Sequence, residues 1–153
     1  MLLLCAFLVG LVAGLRSMLA PAIVSWFARQ NLLPVGGTYL ALMSYTITAI
    51  GFSLLAACEL VVDKLPTTPS RKQPLSFAVR LLTGSLVGAT VGATGNKIIL
   101  GILCGAIGAV IGTLGGAAAR AKLAALFGAD YRAAILEDLV AIGIALFAIL
   151  RVA

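Results

Sequence analysis

The sequence predicts an all-α, polytopic integral membrane protein with about five transmembrane segments. Of its 153 residues, 62% are hydrophobic and only 10% are charged. A soluble domain of this length needs a larger polar surface than so few charges supply, whereas a bilayer accommodates apolar side chains directly. Apolar runs separated by short charged loops recur along the whole chain. We therefore expect residues 1–153 to form a single transmembrane domain embedded in the lipid bilayer.

The composition also argues against several classes of function. The net charge is +6 and histidine is absent, but the basic residues lie in loops between apolar runs. Membrane topology and anionic lipid headgroups explain this placement, so anionic lipids are an expected partner and nucleic acid is not. Cys5, Cys58 and Cys104 are far apart inside apolar segments, a pattern typical of neither disulfides nor zinc sites. We expect no metal, no cofactor and no enzymatic activity.

The first apolar segment, residues 2–28, is too long for a simple span. Arg16 lies near its middle, preceded by Gly14 and followed by Pro21. Two geometries fit this pattern. A single tilted helix can end near Ala20 and be followed by a short interfacial piece, or the segment can be broken between Gly14 and Pro21 into two half-helices. A re-entrant version of the broken segment would place its two ends on the same side of the membrane.

Four further apolar segments follow, and the basic residues between them predict an orientation. The segments are expected at about residues 39–62, 75–94, 98–119 and 131–150, with residues 120–132 forming a short amphipathic piece on the membrane surface. Five crossings place Lys64, Arg71, Lys72, Arg120, Lys122 and Arg132 on one side and Arg29, Lys97 and Arg151 on the other. The positive-inside rule then places the more basic loops in the cytoplasm.

Glycines recur at intervals of four in the third and fourth segments. They are Gly84, Gly88 and Gly92 in the third, and in the fourth two runs, Gly101 and Gly105 and then Gly108, Gly112 and Gly116. Small residues at this spacing line one face of a helix and allow another backbone to approach closely. The pattern predicts a glycine zipper between antiparallel neighbours, and we also expect the chain to form a homo-oligomer.

A short internal echo links the two halves of the chain. Residues 14–22 read GLRSMLAPA and residues 118–126 read AARAKLAAL, and each stretch is followed by a later segment that carries two acidic residues. Five crossings would make the first and fourth segments run in opposite directions, as in the inverted repeats of many transporters. The sequence leaves two interpretations open, a weak inverted repeat and chance similarity.

Charged residues inside or beside the apolar segments are the first candidate site residues. They are Arg16, Glu59, Asp63, Arg80, Arg120, Glu137 and Asp138. A charge at the bilayer centre costs roughly 2.5–3.5 kcal/mol on insertion scales, so such residues usually pair or line a pathway. Pairs between Arg80 or Arg120 and Glu59 or Glu137 are expected. Such pairs either fix helix register alone or line a polar cavity that is open to the cytoplasm.

The stretch at residues 63–72, DKLPTTPSRK, is the second source of candidate site residues. Lys64, Thr68 and Arg71 combine a hydroxyl donor with fixed positive charge, a combination that suits a phosphate or a carboxylate. The alternative is a capped loop whose basic residues simply meet anionic lipid.

Four motifs together resemble a known family. They are GLRSMLAPA at residues 14–22, ELVVDKLPTTPSR at residues 59–71, the glycine-rich helix pair, and ILEDLVAIG at residues 135–143. In this order they resemble a family of small bacterial inner-membrane proteins that is catalogued as a domain of unknown function. The resemblance covers essentially the whole chain. It implies an integral protein of the bacterial inner membrane, with Arg16, Glu59, Asp63, Lys64, Pro66, Thr68, Pro69, Arg71, Glu137 and Asp138 as the family's marked positions, and it implies no activity.

The residues favour transport, or binding for transport, of a small polar solute or ion through a charged cavity near the cytoplasmic face. Such a function predicts a water-accessible cavity that touches Glu59 and Glu137, with Glu59 as the functional acid. One alternative is recognition or translocation of an anionic lipid headgroup, which predicts a lateral opening beside Arg71 and Lys72. The other is a structural or assembly subunit, which predicts glycine faces buried against another chain.

Overall fold

A computed structural model of the chain describes residues 1–62, 73–127 and 130–152, and the all-α prediction is confirmed for these residues. The elements in chain order are α1 (Leu2–Leu15), α2 (Leu19–Arg29), a 3₁₀ helix (Tyr39–Ser44), α3 (Thr46–Val62), α4 (Pro74–Ala93), α5 (Ile98–Phe127) and α6 (Asp130–Leu150). Helices α4, α5 and α6 are long and apolar enough to span a membrane, and α1 and α3 are shorter apolar helices. These helices are those of an integral membrane protein.

The first apolar segment is broken, as one of its two expected geometries required. Helix α1 ends at Leu15 and α2 begins at Leu19, so three residues form the turn between them. Pro21 fits in the first turn of α2, where a missing backbone N–H leaves no helical hydrogen bond unmade. The second half then runs antiparallel to α3, because Met18 contacts Glu59 at one end of the pair and Arg29 contacts Thr46 at the other.

The two halves of this segment form a helical hairpin. Met1, Asn31, Gly95 and Arg151 line one open cleft of about 560 Å³, so both ends of the hairpin lie at the same end of the bundle. We call this the Met1 end. The opposite end, where α3 and α5 finish and α4 and α6 begin, is called the Val62 end. The single tilted helix is therefore wrong for this segment, and α3 to α6 are the helices that run from end to end.

The predicted surface helix at residues 120–132 is wrong, because residues 120–127 extend α5 and residues 130–132 begin α6. Helix α5 is a single element of 30 residues that runs from Ile98 to Phe127. Its last part reads AAARAKLAALF, which contains good helix formers and neither proline nor glycine, so nothing ends the helix earlier. The segment expected from residue 39 also differs, since a 3₁₀ helix precedes α3 and Tyr45 separates the two in an extended conformation.

The inverted repeat is also wrong. Helices α1 and α5 run in the same direction, because Gly10 lies against Gly105 and Gly14 lies farther along against Gly112. The two echoed stretches differ in structure as well. The first lies at the break between α1 and α2, and the second lies within the uninterrupted helix α5.

The glycine faces of α4 and α5 are packed inside the chain. A Cβ atom placed on Gly88 would come closer than 3.0 Å to Gly101 and Gly105, and one on Gly108 would overlap the backbone of α1 at Phe7 and Leu11. Helix α5 thus lies between α4 and α1, with backbone nearly touching backbone on both sides. The homo-oligomer stays a prediction, and these buried positions are not part of any exposed surface that would form it.

Gly88→Leu is expected to destabilise the protein by more than about 3 kcal/mol, because the new side chain must displace the backbone of α5 rather than a flexible side chain. Gly143→Leu is the matched control, since a Cβ at Gly143 has no neighbour within 4 Å. Thermal unfolding in detergent should show a large loss for the first variant and little change for the second. Equal melting temperatures for Gly88→Leu and wild type would contradict the packing account.

Candidate functional site

The hairpin turn is the polar centre of an otherwise apolar bundle. A helix that stops leaves its last carbonyls and the next helix's first amides without helical partners. Between α1 and α2 this happens at Arg16, Ser17 and Met18, among helices that carry few other polar groups. Asp138, which contacts the turn, is the ninth residue of α6. At 1.5 Å per residue the turn therefore lies about 12 Å inside the Val62 end of that helix.

Glu59 of α3 holds the amide side of the turn. Its Oε1 accepts hydrogen bonds from the Ser17 backbone N–H and from the Ser17 hydroxyl, both at 2.8 Å. Its Oε2 accepts the Met18 backbone N–H, also at 2.8 Å. The carboxylate thus caps the N-terminus of α2, where the helix dipole favours negative charge. The position of Glu59 near the end of α3 places its side chain directly at this turn.

Arg80 of α4 holds the carbonyl side of the same turn. Its Nη1 donates to the carbonyl oxygens of Gly14 at 2.7 Å and Leu15 at 2.8 Å. The guanidinium therefore sits at the C-terminus of α1, where the dipole favours positive charge. The Thr113 hydroxyl of α5 adds a longer bond of 3.3 Å to the Gly14 carbonyl. Arg80 Nη2 also lies 3.6 Å from Glu59 Oε1, so the two capping groups form an ion pair with each other.

Arg16 ties the tip of the hairpin to α6. Its side chain is fully buried, at 0% exposure. Its Nε donates to Asp138 Oδ1 at 2.6 Å, and its Nη2 lies 2.6 Å from the same oxygen. A fully buried guanidinium is tolerable only when charge and hydrogen bonds compensate its lost hydration, and Asp138 supplies both.

A third ion pair lies beside the tip on α5 and α6. Arg120 Nη1 is 3.8 Å from Glu137 Oε2, and both side chains are largely buried. A small cavity of about 130 Å³ lies against this pair, with Leu15 of α1 on its far wall. The pair therefore borders both the hairpin and a space between α5 and α6.

The three ion pairs balance in charge among the residues that the structure describes. Arg16, Arg80 and Arg120 face Asp138, Glu59 and Glu137, and each pair joins two different helices or joins the turn to a helix. A balanced cluster in a low-dielectric interior resists separation of any one pair. The arrangement can therefore lock the hairpin, and neutralising one member would bias it toward release.

The family model described as "Domain of unknown function (DUF4126)" matches residues 3–151. The chain belongs to this family. The resemblance found in the sequence motifs is thereby confirmed. Comparison with curated proteins found no match, and comparison with solved structures found none either. The function of this DUF4126 chain must therefore be argued from the geometry of its site.

Several predicted site residues of the DUF4126 chain meet as expected. The pairs of Arg80 with Glu59 and of Arg120 with Glu137 confirm the prediction that these groups approach each other across helices. Arg16 pairs with Asp138, a partner that the sequence did not single out. The remaining predicted residues, Asp63, Lys64, Thr68 and Arg71, lie outside the described residues.

Sequence reasoning missed two contributors, Ser17 and Thr113. Ser17 supplies both a backbone N–H and a hydroxyl to Glu59, and Thr113 supplies a hydroxyl to the end of α1. The signal for Ser17 was its place directly after Arg16 in an apolar segment. Thr113 carried no such signal, because a threonine in a helix commonly bonds its hydroxyl to a carbonyl of its own helix. Thr113 makes this bond too, to the Ala109 carbonyl.

Metal binding has no geometric support in the described part of the DUF4126 chain. No group of three or more His, Cys, Asp or Glu side chains there is arranged to hold a metal ion. The carboxylates at the hairpin turn instead accept hydrogen bonds and face guanidinium groups.

Proposed function

We propose that this DUF4126 protein transports a small polar solute or ion, with the hairpin tip as its gate and Glu59 as the group that holds the gate closed. The observation that carries the proposal is the capture of the Ser17 and Met18 amides by a carboxylate from another helix. Non-helical backbone at membrane depth is tolerated where it is buried in protein or lines a cavity. Broken helices of this kind form the substrate sites of many transporters.

The packing supports a division into a fixed part and a movable part. Helix α1 is held by backbone-to-backbone contact with α5 at Gly10 and Gly14. Helix α2 and α3 instead share polar side-chain contacts, with Trp26 Nε1 donating to Ser53 Oγ at 2.9 Å. Polar contacts exchange with water or solute more readily than packed backbone separates. In this proposal α2 is thus the part that moves, by separating from α3, when the turn is released.

The conformation described corresponds to the closed state in this proposal. The cavity beside Glu137 has a volume of about 130 Å³ and does not include Glu59. When the Glu59 carboxylate is released from the turn, α2 moves away, and the space it leaves connects Glu59 with the cavity beside Glu137. The Val62 end faces the cytoplasm in this scheme, because the sequence has six basic residues in or beside the stretches that join α3 to α4 and α5 to α6, against Arg29, Lys97 and Arg151 for the other end.

Two alternative functions have less support. A headgroup-binding opening beside Arg71 and Lys72 concerns residues outside those described. An assembly role required glycine faces that pack against another chain, whereas Gly88 and Gly108 contact neighbouring helices of the same chain.

Reconstitution into liposomes tests the proposed function. Purified protein should raise the permeability of liposomes to at least one member of a defined panel above that of protein-free vesicles. The panel has two groups. Entry of protons, Na⁺, K⁺ and chloride is measured with ion-sensitive dyes, and entry of urea, glycine and lactate is measured by vesicle swelling. Gly88→Leu, in which the packing is disrupted, serves as the inactive control. Wild-type protein that is folded and correctly inserted, yet moves none of these probes, would contradict the proposal.

A further inference from the structure

A narrow crevice separates α5 from α6 next to the hairpin. Its apolar walls are formed by Leu15, Gly116, Ala119, Leu123, Leu136 and Val140, and they enclose about 130 Å³. That volume corresponds to roughly four water molecules. Such a volume is too small for a helix, whose diameter with side chains is about 10 Å, and holds only a short part of a slender apolar chain.

The crevice opens sideways toward the position of the lipid. Leu136 is 40% exposed and Val140 is 48% exposed, although both line the crevice. Arg132 lies four residues before Leu136, so the three residues share one face of α6. Arg132 is exposed and lies in the first turn of the helix, at the Val62 end. The opening of the apolar slot therefore lies on the same helix face as Arg132, which is a basic residue at the Val62 end of α6.

The lining of the crevice suits an amphipathic ligand. Its inner wall carries Arg120, which pairs with Glu137 at 3.8 Å, and the rest of its lining is apolar. Lys122 is exposed on the same end of α5. Basic side chains near a membrane surface attract anionic lipid. An apolar slot beneath basic residues suits an acyl chain below an anionic headgroup.

From this arrangement we infer that the α5–α6 crevice binds a phospholipid with an anionic headgroup from the leaflet at the Val62 end. Part of one acyl chain occupies the slot between Ala119 and Val140, the rest of the lipid lies against the outside of α5 and α6, and the phosphate lies at Arg132. A second copy of the chain fits the crevice less well. A two-fold interface would bring the same basic patch on both subunits together, and like charges repel. The inference is independent of the transport proposal, since the site requires no movement of the hairpin.

Lipid binding to crevice variants tests the inference. The probes are phosphatidylglycerol and phosphatidylcholine with identical acyl chains, titrated onto detergent-solubilised full-length protein and counted as retained lipids by native mass spectrometry. Ala119→Phe fills the crevice, and Ala118→Phe adds the same bulk at the adjacent exposed position of α5. We expect at least a tenfold loss of phosphatidylglycerol affinity for Ala119→Phe and less than a twofold change for Ala118→Phe.

The headgroup part of the inference has its own variant. Arg132→Gln should lower phosphatidylglycerol affinity about fivefold and leave phosphatidylcholine affinity unchanged, because the positive charge at the proposed phosphate position is lost while the apolar slot is kept. Equal wild-type affinity for the two lipids would overturn the headgroup assignment. Unchanged binding by Ala119→Phe would overturn the site. A wild-type dimer that becomes a monomer in Ala119→Phe, without loss of lipid, would assign the crevice to a second copy of the chain instead.

Discussion

Glu59→Gln is expected to leave the protein folded and to raise its flux in liposomes by at least about tenfold over wild type. The amide oxygen of glutamine can still accept the two bonds from Ser17, but its NH₂ group cannot accept the Met18 N–H. A hydrogen bond to a charged group contributes about 1.5–3 kcal/mol, and tenfold in an equilibrium corresponds to about 1.4 kcal/mol. Loss of one such bond therefore shifts the closed state toward the open one by at least this factor.

A control with a smaller change separates the proposed role of Glu59, which is to hold the gate closed, from a general effect on folding. Ser17→Ala removes only the hydroxyl contact to Glu59 and keeps both backbone bonds and the carboxylate charge, so flux should rise by less than it does in Glu59→Gln. If Glu59 only fixed helix register, Glu59→Gln would unfold the protein, and Arg80→Gln in the same chain would restore part of its stability. A folded Glu59→Gln variant with the flux of wild type would show that Glu59 does not hold the gate closed.

Arg16→Leu and Asp138→Leu are each expected to destabilise the protein by about 3–5 kcal/mol, because either change strands a buried charge. The Arg16 side chain is fully buried and its Nε lies 2.6 Å from Asp138 Oδ1. The double variant should recover most of the loss, since it leaves neither charge in the interior. Thermal unfolding in detergent, arranged as a double-mutant cycle, measures the coupling between the two residues.

The matched comparison for this cycle is Arg29 with Thr46, a polar pair in an exposed position. Changing both residues there should give a coupling below about 1 kcal/mol, because water replaces the lost contact. Additive effects of Arg16→Leu and Asp138→Leu, with no recovery in the double variant, would mean that their buried contact does not hold the tip to α6.

The sequence predicted the regular spans well, because their pattern is local. Helices α4 and α6 begin and end within about one residue of the expected 75–94 and 131–150. The pairing of Arg80 with Glu59 also followed from the sequence, since charges in apolar helices must find opposite charges and few partners were present. The short loops thus made the helix bounds predictable, and the small number of charged residues made the ion pair predictable.

The hairpin was not decided by the sequence, because its determinants are distant in the chain. Gly14 and Pro21 fit a single tilted helix followed by an interfacial piece as well as a broken segment, and the break is fixed by Glu59 and Arg80 from later helices. The same limit left the inverted repeat open beside chance similarity, because the opposite helix directions that it needed relied on five crossings. The extent of α5 was misjudged for a different reason, since Arg120 was taken as a sign of the membrane surface although it pairs with Glu137.

The re-entrant hairpin is the central claim, and a cross-link between Leu2 and Gly95 tests it most directly. A Cβ on Gly95 would touch the Leu2 side chain, so both lie at the Met1 end. In a background without Cys5, Cys58 and Cys104, the pair Leu2→Cys and Gly95→Cys should be joined in membranes by a short thiol cross-linker. A five-crossing chain would place the two residues about 30 Å apart on opposite faces of the membrane. Absence of the cross-link, with Leu2→Cys and Gly95→Cys labelled by an impermeant thiol reagent from opposite sides, would contradict the account.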